Sequence, residues 1–277
     1  MLVEPQAKMV LAPTPPRAKG RVRLSVRRRD ARTVLDGLHQ SGSAKALLPR
    51  VWTPGLTAVL LNTAGGVTGG DRFEVEAHAA DTTDLTLTTQ AAERLYRALP
   101  GQTGRIETRL EAAVGATLRW LPQETIAFDA AGLERRLTID MAADARVLAV
   151  EPLILGRAAM GETVRALTLR DRWSIRRDGE LIYADTLRLD GDIAAITGQS
   201  GTLAGHRACA TVILAAPDAE RHLDAARARL PKTGGASLIR PGLLAIRLVA
   251  RTGQALRRHL MPILDDLGGP LPQVWKM

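Results

Sequence analysis

The segment Leu60-Leu61-Asn62-Thr63-Ala64-Gly65-Gly66-Val67-Thr68-Gly69-Gly70-Asp71-Arg72 places four glycines in six positions and closes on an acid. Glycine at that density marks backbone that takes positive φ or passes close to another group. A phosphate loop is the chemistry it suggests, and its neighbours exclude one. Gly65 and Gly70 have the Walker separation, but Asp71 and Arg72 stand where Lys and then Ser or Thr belong. A carboxylate there repels a triphosphate. No G-x-G-x-x-G is present, and an alternating segment, Arg72 to His78, follows where a nucleotide fold starts a helix. A turn between two strands is the better reading.

Four further features could carry chemistry through their acids. Asp71 closes the glycine turn, and Glu124 follows Pro122-Gln123. Glu151 follows the apolar run Val147-Leu148-Ala149-Val150, and Asp185 interrupts Leu181-Ile182-Tyr183-Ala184. A carboxylate inside an apolar strand must be paired, solvated or turned to a polar cavity. One account is a salt bridge to one of the many arginines. The other is a wet passage in which Asp71, Glu124, Glu151 and Asp185 handle a hard or borderline cation in transit.

Nothing nominates an enzyme. Histidines stand at 39, 78, 206, 222 and 259 without an H-x-x-x-H pair or a carboxylate-histidine cluster. His206 and Cys209 have a spacing acceptable for two ligands of a soft metal, but a stable site wants three or four. Cys209 opens an apolar run and reads as inert. No Ser lies in a G-x-S-x-G elbow, and Gly198-Gln199-Ser200-Gly201 reads as a loop.

The elements that must position these residues are mostly strands. Val22-Leu24-Val26, Phe73-Val75-Ala77, Leu85-Leu87 and Leu137-Ile139-Met141 alternate with polar residues, and strand-like pieces recur at Val164–Leu169, Trp173–Arg176, Leu181–Leu189 and Ala210–Leu214. Arg72–Gln90, Arg105–Gln123 and Arg135–Pro152 each read as strand, short turn, then a more apolar strand. That period of about 30 residues predicts stacked units. Stacking would align Thr89-Gln90, Pro122-Gln123-Glu124 and Glu151-Pro152 in one polar lane. Near the C-terminus, Ala219–Leu230 and Gln254–Leu267 carry apolar stripes at helical spacing, with a strand Leu243–Val249 between them and Pro262 expected to kink the second helix. The expected fold is therefore mainly β, a layered or β-helix-like stack of short strands with two α-helices near the C-terminus. It forms a single domain over residues 20–277 behind a flexible proline-rich arm, Met1–Gly20.

Composition narrows the partners. The net charge is +9, and 33 of the 38 basic residues are Arg. Aromatics make up only 3%, which leaves few stacking platforms for single strands. The basic residues are scattered, and an acidic protein partner is a better use of the charge than nucleic acid, although a basic β-rich nucleic-acid binder is the alternative reading. No apolar run approaches the length of a membrane span. A single cysteine, Cys209, fits a reducing cytoplasm.

Five ordered motifs carry a family resemblance: Leu60–Arg72, then Leu87-Thr88-Thr89-Gln90-Ala91-Ala92-Glu93-Arg94-Leu95-Tyr96-Arg97, then Trp120–Phe128, Gly156–Glu162 and the closing Pro272–Met277. Together they resemble the urease accessory protein UreD family, called UreH in some organisms, over nearly the whole chain. Thr63-Ala64 and Ala92-Glu93 depart from that family's usual pattern. The resemblance implies a non-enzymatic maturation factor with no tightly bound cofactor. It implies binding to UreF, which recruits the GTPase UreG, and docking of that assembly on apo-urease, with a dimeric assembly in the complex left open. It also implies that nickel passes transiently through this protein while GTP is held by the partner alone. On that basis Asp71, Glu124, Glu151 and Asp185 are the expected acidic lining of a nickel path.

Overall fold

A computed structural model describes residues 16–50 and 52–277. Among the described residues seventeen strands dominate. They are β1 (Lys19–Arg29), β2 (Arg32–Gly42), β3 (Ala44–Leu47), β4 (Leu56–Asn62), β5 (Arg72–Ala79), β6 (Asp84–Thr89), β7 (Glu93–Leu95), β8 (Gly104–Ala112) and β9 (Thr117–Leu121), followed by β10 (Thr125–Ala127), β11 (Ala131–Met141), β12 (Arg146–Leu155), β13 (Ala166–Arg177), β14 (Glu180–Asp192), β15 (Ala208–Ala215), β16 (Gly234–Arg240) and β17 (Leu243–Ala250). Three α-helices accompany them: α1 (Ile193–Gly198), α2 (Leu223–Arg229) and α3 (Gly253–Gly268).

The strands form two facing sheets. The first runs β14-β13-β11-β8-β5-β1-β2, and the second runs β16-β17-β15-β12-β9-β6-β4-β3, with β7 and β10 added beside β12. The three repeats are three coils of a solenoid. Their first strands, β5, β8 and β11, are parallel neighbours in the first sheet, and their second strands, β6, β9 and β12, are parallel neighbours in the second. The short turns between them stack as corners. Thr82 N donates to Val114 O and Arg146 N to Ala116 O, each at 2.8 Å, so backbone pairing continues around the bend, and the Asp144 side chain accepts from Gly115 N at 2.9 Å.

Period-two alternation builds the core between the sheets. Ala77, Leu110, Ile139 and Ile175 lie in one register lane of the first sheet, facing Leu85, Leu118 and Val147 of the second, and all are buried. Burying each of the larger side chains contributes about 1.5–3 kcal/mol. A second core lies on the other face of the second sheet, where α3 presents Leu256, Leu260, Ile263, Leu264 and Leu267. Thr252 caps α3 by accepting from Ala255 N. Pro262 sits within one continuous helix and removes the N–H that the carbonyl of Arg258 would have received.

Several expectations need adjustment. The expected pieces Val164–Leu169, from Ala166 onward, and Trp173–Arg176 are parts of one strand, β13, continuous through Arg170-Asp171-Arg172, where Asp171 has a partner inside the core. Strands β2, β3, β4, β7, β10 and β16 and helix α1 were not legible as elements. The proposed arm lies outside the described residues up to position 15, and Lys19 and Gly20 already belong to β1.

Candidate functional site

The glycine turn joins β4 to β5, as its residues suggest. Gly70 has φ 89°, and a Cβ on Gly69 would lie 2.6 Å from Gln102 Cβ, so this path excludes larger residues. Asp71 is buried and its carboxylate is fully engaged. Oδ1 accepts from Ala18 N and Oδ2 from Thr68 N, each at 2.8 Å, which latches the turn to the approach to β1.

At the end of the coils remote from the stacked corners, the sheets part around a cavity of about 260 Å³. The expected polar lane forms much of its wall: Thr89, Gln90, Pro122, Gln123 and Glu151 all line it. Hydrogen bonds stitch the lane across coils. Thr88 Oγ1 donates to Leu121 O at 2.7 Å, Gln123 N donates to Thr89 Oγ1 at 2.9 Å, and Trp120 Nε1 donates to Glu151 Oε1 at 2.9 Å. The first sheet contributes Phe73, Ile106, Thr108 and Arg135 from its inner face.

Arg135 organises the charge. Its Nε and Nη2 grip Asp171 at 3.1 and 2.6 Å, while Nη1 donates to Thr125 Oγ1 at 3.0 Å and pairs with Glu151. All three charged side chains are buried, and the triad links both sheets. Burial by itself lowers the Arg135 pKa, and Asp171 and Glu151 more than restore it, so the guanidinium stays charged. Burial pushes the Glu151 carboxyl up, against the pull of Arg135. Glu93, on the short strand β7, also lines the cavity and receives Asn62 Nδ2 at 3.1 Å. Burial raises it to about 7. Gln123 accepts from Arg257 Nη1 at 2.7 Å through its Oε1, but its buried Nε2 has no partner within the described residues.

The four expected acids do not share one passage, because their partners hold them apart. Only Glu151 faces the cavity. Asp71 is a backbone latch, Glu124 pairs with Arg257 at 3.1 Å, and Asp185, on β14, is held by Arg247 and by the Tyr183 hydroxyl at 3.3 Å. Arg135, Asp171 and Glu93 were not nominated from sequence. Two of them carried a signal: Arg135 keeps the period-two phase of Leu133, Leu137 and Ile139, and Asp171 that of Leu169, Trp173 and Ile175. His206 and Cys209 build no metal centre. His206 Nδ1 lies 2.8 Å from Leu203 O, and burial pushes the Cys209 thiol up to about 12. Among the described residues no three His, Cys, Asp or Glu side chains are grouped to hold a metal ion.

Fold and site together define a β-solenoid scaffold with a polar, charge-bearing cavity between its sheets. Residues 18–276 match the family model described as UreD urease accessory protein. The chain is 50% identical to a protein of Ruegeria sp. named urease accessory protein UreD, over 97% of this chain and 94% of that one. It is 46% identical to a protein of the same name from Roseobacter denitrificans, over 95% and 96% of the two chains. A third, from Rhizobium rhizogenes, is 47% identical over 95% and 97%. The chain belongs to the UreD urease accessory protein family. Its relatives are named as accessory proteins, which makes this a maturation factor for urease that works with urease-related proteins and not itself an enzyme. No helix of the described residues is long and apolar enough to cross a membrane.

Proposed function

We propose that this protein links apo-urease to UreF and, through UreF, to the GTPase UreG, and that nickel travels toward the urease active site by way of the cavity between its sheets. The observation that carries the route is the charge ratio beside the cavity, where Arg135 on the wall serves two buried carboxylates, Glu151, also on the wall, and Asp171. Arg135 does not fully offset the burial of Glu151, whose carboxyl stays raised, and a divalent cation would supply the missing charge. Oxygen donors without thiolate or imidazole favour exchangeable binding of a borderline cation, as transfer requires. A cation keeping six waters needs roughly 200 Å³ at ~30 Å³ per water, and the cavity offers about 260 Å³. Glu151 and Glu93 are the acids of this route, while Asp71, Glu124 and Asp185 serve the architecture that surrounds it. The links to UreF and UreG rest on family membership. The glycine turn, without a phosphate-binding lysine, agrees with GTP being held by the partner.

The test expresses the cognate urease operon in a host lacking its own copy of this gene and measures nickel per active site in purified urease. The wild-type chain should support loading, and Glu151→Gln and Glu93→Gln should each lower it several-fold while complexes still assemble. Full loading with both variants sinks the route. Full loading with no chain present sinks the maturation role itself.

A further inference from the structure

The outer face of the first sheet handles its charges differently in its two halves. Across β1, β5 and β8 most outward basic residues are neutralised within the face, Lys19 and Arg72 at the strand starts being exceptions. Arg21 pairs with Glu74, Arg23 with Glu76 at 2.8 Å, Arg109 with Glu107 at 2.6 Å, and His78 lies 3.0 Å from Glu111. On β11 and β13, Arg136, Arg170, Arg172 and Arg176 point outward, in the alternation that buries Arg135 and Asp171. Among the described residues none of these four has an ion pair. The nearby acid Glu134 is engaged by Arg105 at 3.5 Å, and Asp190 by Arg188 at 2.8 Å.

The register makes this arrangement costly. Arg136 lies directly opposite Arg172, and Arg170 opposite Arg188, while the acids that the register also sets beside Arg136, Arg170 and Arg176, namely Glu107, Glu134 and Asp140, form no ion pair with them. Like charges facing one another on neighbouring strands destabilise the pairing unless something outside neutralises them. Arg136, Arg172 and Arg176 also line a groove of about 510 Å³, whose floor is made of small residues, Thr138, Ser174, Ala184 and Thr186. Asp185 closes the groove on its inner side, with its carboxylate already taken by Arg247.

We propose that this half-face docks an acidic segment of a protein partner, whose carboxylates pair with Arg136, Arg172 and Arg176 over the small-residue floor. Guanidinium groups suit that task because their fork matches a carboxylate in two parallel hydrogen bonds. A nucleic acid fits less well. Trp173, the one aromatic side chain at the groove, is buried, which leaves no stacking platform. A duplex extending beyond β11 and β13 would meet a part of the face where Arg21, Arg23 and Arg109 are already taken by Glu74, Glu76 and Glu107. The docking surface goes beyond the nickel route and does not depend on it.

The test uses the full-length protein and two labelled probes, a peptide of about ten glutamates and a duplex DNA of about twenty base pairs, followed by fluorescence anisotropy at about 50 and about 300 mM NaCl. Arg136→Glu with Arg172→Glu is compared with Arg251→Glu with Arg258→Glu, which changes the net charge equally at exposed positions elsewhere. Wild type and the control pair should bind the peptide within about twofold of each other, the groove pair should lose at least about tenfold, and binding should weaken in salt. Thermal melting checks that the groove pair is folded, since the double reversal keeps a like-charge pair across β11 and β13. No peptide binding by wild type, or equal loss in both variant pairs, overturns the proposal. So does tighter binding of the duplex that is abolished by the groove pair, which would assign the surface to nucleic acid.

Discussion

Trp120 Nε1 donates to Glu151 Oε1 at 2.9 Å, tying the second strand of one coil to the second strand of the next at the cavity wall. The other oxygen of Glu151 is held by Arg135. One carboxylate therefore joins neighbouring coils and both sheets, and its structural and transfer roles must be separated by experiment.

Glu151→Ala should cost roughly 3 kcal/mol or more, since it strips Arg135 of one counter-charge and leaves the Trp120 N–H unpaired in the core. Glu151→Gln keeps an acceptor for Trp120 and should cost about half as much. Urea denaturation of the two variants measures the difference. Equal losses would show that the indole hydrogen bond contributes nothing.

Asp71→Ala removes the acceptors of two backbone N–H groups, those of Ala18 and Thr68. A loss of roughly 2–4 kcal/mol is expected, with Asp71→Asn losing less because one acceptor survives. Amide hydrogen exchange at Ala18 and Thr68 should accelerate in the alanine variant. Unchanged protection at both would refute the latch.

Glu93 gives the fold a pH dependence of defined sign. Its folded pKa of about 7 lies above the ordinary value of 4.5, so the folded state binds more protons between the two. Stability should then fall as pH rises through that window, and the penalty is complete above the folded value. Glu93→Gln should raise stability at pH ~8 by roughly 1–3 kcal/mol and flatten the profile between pH ~4.5 and ~7. Parallel melting-temperature profiles for the variant and wild type would contradict this.

Trp275 anchors the C-terminal motif. It is buried, donates Nε1 to Leu121 O at 3.0 Å and lies 5.0 Å beneath the Arg257 guanidinium. Trp275→Ala should cost about 3–5 kcal/mol, and Trp275→Phe roughly 1–2, the lost hydrogen bond accounting for much of the latter. If chemical denaturation cannot distinguish the alanine variant from wild type, the terminus does not hold α3 on the second sheet.

The coils were legible because their cause is local. Alternation in β5, β8 and β11, a short turn after each, and a more apolar second strand recur at a nearly constant spacing, and that recurrence predicted both the stack and the polar lane. The glycine turn and the apolar stripe of α3 were legible for the same reason. β7 and β10 were not, since a three-residue strand has too few positions to show a period.

The choice among the acids was not local. Glu124 finds Arg257 across 133 positions and Asp185 finds Arg247 across 62, pairings that exist only after β12, β15 and β17 have assembled and α3 has packed on them. Arg135 and Arg136 are adjacent and chemically identical, yet one anchors a buried triad and the other stands unpaired on the outer face. The sequence determined by itself which strands form, how they repeat and which family the chain resembles, because periodicity and motif order are properties of neighbouring residues. Only the tertiary structure decided that Glu151, and not Asp71, Glu124 or Asp185, faces the cavity, because where a carboxylate sits depends on which distant cation or N–H donor the folded chain brings to it.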